Sequence, residues 1–242
     1  MELFPAIDIS GGQAVRLRQG NYQKKQVYHN DPVSVARLFL AQGARNLHVV
    51  DLDGAKEGKA QNLQLLRAIC EVKGLFVQIG GGIRDEESVE TCLSLGAGRV
   101  ILGTAAIADF SFLVAMIKKY GSRIAVSVDA RDEHIATHGW QTVTKTDALT
   151  FCRKLRDAGV KTVIYTDISK DGELSGTNLA AYQKLRNLPE LDIIASGGIS
   201  FEQEIVALRD RRTYGAIIGK ALYESRLSLP KILALADGKE SS

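Results

Sequence analysis

The chain repeats itself, because short motifs of its first half recur in its second half at one constant spacing. The segment 81–83 (Gly-Gly-Ile) returns at 197–199, an offset of 116 residues (197 − 81). Asp51, which ends an apolar run, returns as Asp167 at the same offset (167 − 51). A shared offset between motifs that lie far apart indicates two copies of one structural unit. A site on one half should therefore have a counterpart on the other, which favours a ligand with two similar ends.

Short apolar runs alternate with longer amphipathic segments along the whole sequence. The apolar runs are predicted strands, at 3–7, 46–50, 76–79, 99–102, 124–128, 162–166, 192–195 and 216–218. The amphipathic segments are predicted helices, at 32–42, 62–72, 86–95, 110–119, 147–158, 178–188, 202–211 and 230–236. Strands that are apolar throughout are typical of a parallel sheet covered by helices.

Eight strand–helix units in 242 residues suit a closed α/β barrel, the (β/α)8 or TIM barrel. An open, doubly wound sheet is the alternative. It would not naturally give two near-identical halves of four units, and no Gly-x-Gly-x-x-Gly motif follows the first strand. We therefore predict a single domain over residues 1–242, a (β/α)8 barrel with an internal twofold repeat whose half-barrels span about 1–121 and 122–242.

The composition excludes several classes of protein. Apolar residues make up 45% and charged residues 24%, as in an ordinary soluble globular protein, and a net charge of +3 is too small to favour nucleic acid. No apolar run approaches the roughly 18 residues that cross a bilayer, and the first residues do not resemble a signal peptide. Three cysteines without a Cys-x-x-Cys pair suit a reducing compartment. We expect a cytoplasmic protein, a monomer, with no membrane or nucleic-acid partner.

The ends of the predicted strands carry the candidate chemistry, because the active site of such a barrel lies at the C-terminal ends of its strands. Four strands end in acids, which are Asp8, Asp51, Asp129 and Asp167. The other four end in glycines, at 80–82, 103, 197–198 and 219. Glycine at a strand–helix junction lets backbone N–H groups approach an anion closely, and a helix N-terminus adds a favourable dipole.

The glycines predict two phosphate sites on opposite sides of the barrel mouth. The set after strands seven and eight matches the position where barrels often bind phosphate, and the repeat adds a counterpart after strands three and four. One site would comprise Gly197, Gly198 and Gly219, and the other Gly81, Gly82, Gly103 and Thr104. The alternative is that these glycines only make tight turns. If both sites bind, the ligand is elongated and carries a phosphate at each end.

Asp8 and Asp129 end strands one and five and should face each other across the mouth. Two carboxylates that flank a substrate can divide the roles of general acid and general base when their pKa values differ. An aspartate with an unperturbed pKa of about 3.9 is a poor acid at neutral pH, so burial or a neighbouring carboxylate must raise one of the pair. Each could instead only cap the turn that follows it. Asp51 and Asp167 are interpreted as structural.

Two long loops that contain glycine, 11–30 and 169–177, are predicted lids over the mouth. Arg16 in the first loop could contact a phosphate or position the substrate, and Asp171 in the second is a third candidate acid. Either side chain could instead be merely solvated. Gly176 in the second loop is a further candidate substrate contact. Trp140, the only tryptophan, could stack on a flat heterocycle or pack against a helix.

The histidines predict no metal site. His134 and His138 are four residues apart, but no third ligand lies near them in sequence and Gly139 follows. His48 lies in the apolar run of the second strand, where it could be a core residue or a contact to the ligand. We expect neither a metal nor an organic cofactor.

Five segments together resemble one known family. They are 4–9 (Phe-Pro-Ala-Ile-Asp-Ile), 15–17 (Val-Arg-Leu), 49–55 (Val-Val-Asp-Leu-Asp-Gly-Ala), 80–84 (Gly-Gly-Gly-Ile-Arg) and 196–199 (Ser-Gly-Gly-Ile). The pattern resembles the histidine-biosynthesis isomerases that act on phosphoribosylformimino-5-aminoimidazole carboxamide ribotide (ProFAR), and it runs over almost the full chain. The resemblance implies a half-barrel duplication and a small bisphosphorylated ribotide as substrate. It also implies an Amadori rearrangement of the aminoaldose ProFAR to the aminoketose PRFAR.

The resemblance also implies roles for particular residues. It maps the acid–base aspartates of the family onto Asp8 and Asp129, and it places Asp171 and Thr166 at other positions that the family uses. An acid would protonate the ribose ring oxygen and open the ring to a Schiff base, after which a base would remove the C2 proton. We assign Asp8 as the base and Asp129 as the acid, with Asp171 as a competitor for the acid role.

Three alternatives stay open at this point. One is the sister cyclase subunit of imidazole-glycerol-phosphate synthase, which typically carries Lys where this chain has Arg16. Another is a bifunctional isomerase that also accepts phosphoribosylanthranilate, a substrate with one phosphate. The third, from a different class, is a non-catalytic phosphosugar-binding protein, against which the retention of both aspartates argues.

Overall fold

A closed barrel forms the centre of the protein in a computed structural model, which describes residues 1–18, 20–137 and 139–239. Its strands are β1 (Glu2–Ser10), β2 (Gln13–Arg18), β3 (Asn21–His29), β4 (Asn46–Asp51), β5 (Phe76–Gly80), β6 (Arg99–Leu102), β7 (Ile124–Arg131), β8 (His134–Thr137), β9 (Thr142–Asp147), β10 (Thr162–Asp167), β11 (Asp192–Ser196) and β12 (Gly215–Ile218). Eight of them pair in parallel in the order β1-β4-β5-β6-β7-β10-β11-β12, and β12 pairs again with β1. The ring is therefore complete, and the predicted (β/α)8 barrel is confirmed.

Helices cover the outside of the barrel. They are α1 (Pro32–Ala41), α2 (Leu52–Glu57), α3 (Leu63–Cys70), α4 (Glu86–Ser94), α5 (Thr104–Ala108), α6 (Phe110–Tyr120), α7 (Ala148–Asp157), α8 (Leu179–Leu185), α9 (Glu202–Asp210), α10 (Lys220–Tyr223) and α11 (Leu229–Ala236). All eight predicted helices are present. Several begin at an aspartate that accepts a backbone N–H of the first turn, as Asp31 does from Val33 at 3.0 Å. The short α2, α5 and α10 were not predicted, because so few residues show no amphipathic period.

Two antiparallel hairpins extend the barrel above its mouth. β1 pairs with β2, which pairs with β3, and in the same way β7 pairs with β8, which pairs with β9. The segment 11–30, expected to be a loop, contains the two strands β2 and β3. Strand β3 could not be predicted from the sequence, because most of its side chains are exposed on both faces. Its sequence therefore lacks the alternation of apolar and polar residues that marks a half-buried strand. The hairpins follow strands one and five, which are equivalent under the repeat.

The hydrophobic core has two main layers, and a small third cluster of Val15, Leu17 and Leu52 packs beside them. The larger layer lies between the barrel and the helices, and the smaller one fills the barrel itself with Phe4, Ala6, Ile101, Ala125, Ile164, Ile194 and Ile217. Successive side chains of a strand point to opposite faces, so each barrel strand contributes to both layers, which explains why these strands are largely apolar. Inward-facing residues near the C-terminal ends of the strands therefore point into the mouth. Among the helices of the described ranges, none is long and apolar enough to cross a membrane.

Candidate active site

Asp8 lies on β1 at the barrel mouth in a buried ion pair with Arg16. The Nη1 atom of Arg16 is 2.9 Å from Oδ2 of Asp8, and the two side chains are only 10% and 14% exposed. The contact arises because the hairpin turns β2 back along β1. Burial raises the pKa of Asp8, and the positive charge of Arg16 lowers it in part. The ion pair thus partly offsets the effect of burial and favours the ionised form of Asp8.

Asp129 lies on β7 and accepts hydrogen bonds on both of its carboxylate oxygens. Ser127 Oγ donates to Oδ1 at 2.7 Å, and the indole N–H of Trp140 donates to Oδ2 at 2.8 Å. Burial raises the pKa of Asp129, whereas hydrogen bonds from Ser127, Trp140 and Thr166 lower it. Thr166 is buried on the neighbouring β10, directly opposite Asp129 in the sheet. The structure thus brings Thr166 and Trp140 together with Asp129.

Asp171 lies in the segment between β10 and α8 and shares the mouth with the other two acids. Burial raises its pKa to about 6, the charge of Arg16 lowers it, and the charges of Asp8 and Asp129 raise it further. A carboxyl group with a pKa near 6 holds its proton in a substantial fraction of molecules close to neutral pH. The mouth therefore contains three carboxyl groups and one guanidinium within electrostatic reach of one another.

The segment that carries Asp171 is held over the mouth by cations from the last strand–helix unit. Lys220 Nζ donates to the carbonyl oxygen of Gly172 at 3.0 Å, and Arg226 Nη1 donates to that of Leu174 at 3.2 Å. Both contacts cross from the end of the chain to the loop after strand six. The position of Asp171 therefore depends on residues far from it in sequence.

The two glycine pairs have matching conformations. Gly81 and Gly197 have φ values of 107° and 92°, and Gly82 and Gly198 have values of 76° and 78°. A Cβ atom on any of the four would lie 2.2 to 2.5 Å from a backbone carbonyl oxygen at or after the end of the preceding barrel strand. Left-handed φ values and this close approach together require glycine. The repeat therefore extends to backbone geometry at both predicted phosphate sites.

The third glycine of each predicted phosphate site reveals a difference between the halves. Gly103 and Gly219 have nearly the same backbone angles, with φ and ψ of −102° and −109° for the first and −106° and −106° for the second. Thr104 follows Gly103 as the first residue of α5. No heavy atom of the described structure lies within 4 Å of a Cβ built on Gly103, whereas one built on Gly219 would lie 2.2 Å from Arg16 Nη2. Arg16 thus covers only the second site.

A cavity extends from Asp171 to the second glycine site. Arg16, Asp171 and Lys220 line it together with Gly198 and Gly219. Two cations and several backbone amides at strand ends are a chemistry that suits a phosphate group. The position of Lys220 was missed in the sequence analysis, although it directly follows the glycine that ends strand eight.

Gly176 lies at a left-handed φ of 97° beside Glu204, a residue that the sequence analysis missed. Glu204 is only 8% exposed, and its carboxylate accepts the backbone N–H groups of Ser200 at 2.8 Å and Phe201 at 3.0 Å. It also accepts the N–H of Thr177, next to Gly176. This carboxylate therefore joins the loop after strand six to the start of α9. In the sequence, Glu204 follows Glu202 at the start of a predicted helix, and this pattern is typical of ordinary helix capping.

Asp51 and Asp167, interpreted above as structural, are saturated by local hydrogen bonds. Asn62 Nδ2 donates to Asp51 at 2.8 Å, and Asn178 Nδ2 donates to Asp167 at 2.7 Å. Both asparagines are related by the same offset as the aspartates. The carboxylates order the loops that follow strands two and six, in agreement with the structural interpretation.

His48 points into the barrel from β4, one layer below Asp8. Its backbone lies opposite Ala6, whereas Val50 lies opposite Asp8. Its Nδ1 atom is 3.0 Å from the side-chain nitrogen of Gln78. Burial, with the charges of Arg16 and Arg99, lowers the pKa of His48 to about 3, so the imidazole is neutral at physiological pH.

Trp140 joins the two hairpins above the mouth. It lies between β8 and β9, and besides its hydrogen bond to Asp129 its ring approaches Gly20, at the turn between β2 and β3. A Cβ atom on Gly20 would lie only 2.6 Å from Trp140 Cε3. The indole therefore contacts both an acid of the mouth and the opposite hairpin.

Of the two histidines considered as a metal pair, the structure describes His134, whereas His138 lies outside the described residues. Within residues 1–18, 20–137 and 139–239, no group of three or more His, Cys, Asp or Glu side chains is arranged to hold a metal ion.

The chain matches known proteins over nearly its whole length. The model of the family described as "Histidine biosynthesis protein" matches residues 2–228. A relative from Brachyspira hyodysenteriae is 49% identical over 98% of this chain and 99% of its own length, and one from Oceanobacillus iheyensis is 46% identical over 96% and 97%. Both carry the name 1-(5-phosphoribosyl)-5-((5-phosphoribosylamino)methylideneamino) imidazole-4-carboxamide isomerase. A relative from Listeria monocytogenes with the same name is 44% identical over 96% of this chain and 97% of its own.

The resemblance seen in the motifs is thereby confirmed, because it extends over the entire barrel and not only over the strand ends. Full-length identities near one half are far above those at which only a fold is shared. The chain belongs to the histidine biosynthesis protein family.

Proposed function

We propose that the protein is an aldose–ketose isomerase of histidine biosynthesis, which converts the aminoaldose ProFAR to the aminoketose PRFAR by an Amadori rearrangement. The observation that carries the proposal is the set of three acids and Arg16 at one barrel mouth, in a chain whose full-length relatives are named as this isomerase. Acids with different surroundings are what an acid–base isomerisation needs.

The substrate has a phosphate at each end, and the proposal gives each phosphate one of the glycine sites. Gly81, Gly82, Gly103 and Thr104 would hold one phosphate, and Gly176, Gly197, Gly198 and Gly219 the other. Binding energy from these remote groups would orient the sugar between the carboxyl groups, where the reaction takes place. Arg16 supports this arrangement because it touches both Asp8 and Gly219.

In the proposed reaction a carboxylic acid protonates the ribose ring oxygen, the bond from that oxygen to C1 breaks, and C1 becomes part of a Schiff base. A carboxylate then removes the proton from C2, and the electron pair of that bond forms the enolamine. The hydroxyl group on C2 of the enolamine then loses its proton as a proton is added to C1, which gives the C2 carbonyl of the aminoketose. Each proton that is donated is balanced by one that is removed, and the protein needs no redox partner. We assign the base to Asp8, whose ion pair with Arg16 favours the charged form.

The acid role has two candidates, Asp129 and Asp171. Asp129 is the acid that the sequence analysis assigned. Both of its carboxylate oxygens accept hydrogen bonds, however, and these favour the ionised form. Burial and the neighbouring acids give Asp171 a pKa of about 6, which favours a protonated carboxyl group. We therefore propose Asp171 as the donor of the proton and Asp129, with Thr166, as the group that orients the sugar. Trp140 and His48 would then contact the remainder of the substrate.

The proposal includes catalysis without metal or organic cofactor, by a cytoplasmic monomer. Its test is an assay in which purified protein receives ProFAR alone, in the presence of a chelator and without nucleotide or ammonia. Conversion to PRFAR is expected. A strict requirement for ammonia and a glutaminase would instead identify the sister cyclase, and a parallel assay with phosphoribosylanthranilate distinguishes the bifunctional isomerase. Binding of ProFAR without conversion would identify a phosphosugar-binding protein.

A further inference from the structure

A chain of polar side chains crosses the otherwise apolar interior of the barrel beneath the mouth. Arg99 lies near the bottom, where its guanidinium also packs over the rings of Phe4 and Phe76 at 5.7 and 5.2 Å. Gln78 is fully buried, at 0% exposure, and His48 lies next to it. Buried polar groups are costly unless each is hydrogen-bonded, so the direction of every hydrogen bond in this chain is constrained.

Arg99 determines which way the hydrogen bonds run. A guanidinium has donors only, so the side-chain atom of Gln78 that lies 3.1 Å from Arg99 Nε must be the carbonyl oxygen. Arg99 is itself held by a second donation, from Nη1 to Thr162 Oγ1 at 2.9 Å. The amide of Gln78 cannot rotate by half a turn without placing two donors against each other.

The orientation of Gln78 in turn determines the protonation of His48. The other end of the amide is an NH2 group, which donates to His48 Nδ1 at 3.0 Å. Nδ1 must therefore be an acceptor without a proton, and a neutral imidazole must carry its proton on Nε2. The charged groups that influence His48 are Arg16 above and Arg99 below, and both oppose a second proton.

Gln78 occupies the Nδ1 edge of the ring and leaves the Nε2 edge without a contact to its amide. The Nδ1 edge is directed at Gln78, which is fully buried, whereas the His48 side chain as a whole is only partly buried. Within the described part of the chain, Gln78 is the only side chain that forms a hydrogen bond with the imidazole. The Nε2–H group is thus available to a ligand.

We propose that Gln78, oriented by Arg99, is a positioning residue that holds His48 in its Nε2–H tautomer, so that His48 offers the substrate a hydrogen-bond donor and never an acceptor. The inference rests on the proposed function for its ligand, an oxygen of the phosphorylated sugar. Gln78 itself does not touch the substrate. Its effect passes through the imidazole.

The tautomer can be read directly by NMR on the protein without substrate. The chain has four histidines, so long-range proton–nitrogen spectra of protein labelled with 15N-histidine contain few signals. The set of histidine signals that is absent from the spectrum of the His48→Gln variant belongs to His48. We expect one protonated nitrogen, Nε2, between pH 5.5 and 8 for wild type. A proton on Nδ1, or a ring that carries two protons, would overturn the proposal.

Gln78→Glu tests the role of the amide. A carboxylate accepts from both neighbours, so His48 should move its proton to Nδ1 or become doubly protonated. The loss of the correctly placed donor should lower kcat/KM for ProFAR by between about twofold and tenfold, the effect of one neutral hydrogen bond. Gln64→Glu, which makes the same change on the exposed face of α3, should alter neither the His48 signals nor the kinetics. Retention of the Nε2–H tautomer in Gln78→Glu would contradict the proposal.

The two readouts separate this inference from the proposed function. If the wild-type protein does not convert ProFAR but His48 has the expected tautomer and Gln78→Glu changes it, the isomerase proposal fails and the positioning of His48 stands. If ProFAR is converted but the tautomer does not respond to Gln78, the positioning fails alone. Gln78→Met, which removes both hydrogen bonds without adding charge, provides the same tautomer readout should the glutamate variant not fold.

Discussion

Arg16 and Asp8 form a 2.9 Å ion pair at the barrel mouth, and the same guanidinium lies against Gly219 at the second glycine site. One side chain thus connects a proposed base to a proposed phosphate site. Its Nε atom is buried without a protein hydrogen-bond partner in the part of the chain that the structure describes. Arg16 therefore has a donor left for a ligand.

Replacement of Arg16 should change both the rate and its dependence on pH. In Arg16→Met, the pKa of Asp8 should rise, because the cation that lowers it is gone while burial still raises it. The acidic limb of kcat/KM should move to higher pH, and the maximum should fall by about 100-fold or more, as when an electrostatic contact to the reacting groups is lost. Arg211→Met is the control, since Arg211 Nε is also buried without a hydrogen-bond partner among the described residues, but its Nη1 donates to Ala207 in the adjoining helix α9. An acidic limb that does not move would contradict the role of the ion pair.

Asp171 should produce the alkaline limb of the same profile. Its pKa is raised to about 6, so the protonated form that acts as an acid is present below that pH and is lost above it. We expect kcat/KM to decline with an apparent pKa near 6, and Asp171→Asn to remove this limb and lower the rate by about 100-fold or more. Asp129→Asn should retain the limb. If Asp129→Asn abolishes it instead, the acid role belongs to Asp129.

Gly20→Ala should impair activity although Gly20 lies on a hairpin turn and not at a strand end. The new Cβ atom would lie 2.6 Å from the ring of Trp140, which would have to move and would weaken its hydrogen bond to Asp129. We expect a fall in kcat of about tenfold, measured with saturating substrate. Gly12→Ala is a matched control, because Gly12 has a φ of 76° against 71° for Gly20, but apart from its chain neighbours no described residue has a heavy atom within 4 Å of its Cβ position. Equal effects of both variants would indicate backbone strain alone.

Alanine at the third glycine of each phosphate site should have different effects in the two halves. At Gly103 a Cβ would extend into open space, so Gly103→Ala should mainly raise KM, by about tenfold. At Gly219 the Cβ would lie 2.2 Å from Arg16 Nη2, so Gly219→Ala should displace the guanidinium and lower kcat as well. Steady-state kinetics of the two variants separate these outcomes. A purely structural role for both glycines would instead appear as reduced stability with unchanged KM.

Asp51→Asn should destabilise the fold more than it affects chemistry. The Asp51 carboxylate is fully buried and accepts the backbone N–H groups of Gly54 at 2.9 Å, Gln61 at 2.7 Å and Asn62 at 3.0 Å. An amide in its place would turn an NH2 group toward N–H donors, at a cost of about 2 to 3 kcal/mol in the free energy of unfolding. Urea denaturation measures the change. Asp167→Asn should cost less, since Asp167 is slightly exposed and Ser169 supplies two of its bonds.

Most of the barrel could be predicted because its signals are local. The runs that form β6 and β10 are rich in β-branched residues, and most of their side chains are apolar, as burial on both faces favours. The hairpins could not be predicted in this way, because β3 is exposed on both faces and is stabilised by its pairing with β2. The short helix α10 is likewise defined by its place after β12 and not by a period in the sequence.

The candidate site likewise has features that could be predicted from local sequence and features that could not. The offset of 116 residues located the glycines and the aspartates, and matched backbone angles at Gly103 and Gly219 follow from it. The ion pair of Asp8, the hydrogen bond of Trp140 to Asp129 and the tether from Lys220 to Gly172 had no signal in sequence. Each joins segments whose approach depends on the hairpins or on closure of the barrel.

The sequence by itself determined the barrel, its twofold repeat and the residue types at the strand ends, because periodic burial and glycine conformation act over a few neighbouring residues. Only the tertiary structure decided how the two halves differ. Arg16 covers one glycine site and leaves the other open, and burial, together with the charges of Asp8 and Asp129, gives Asp171 its raised pKa. Electrostatic influence depends on distance and solvent access in three dimensions, which spacing along a chain does not specify.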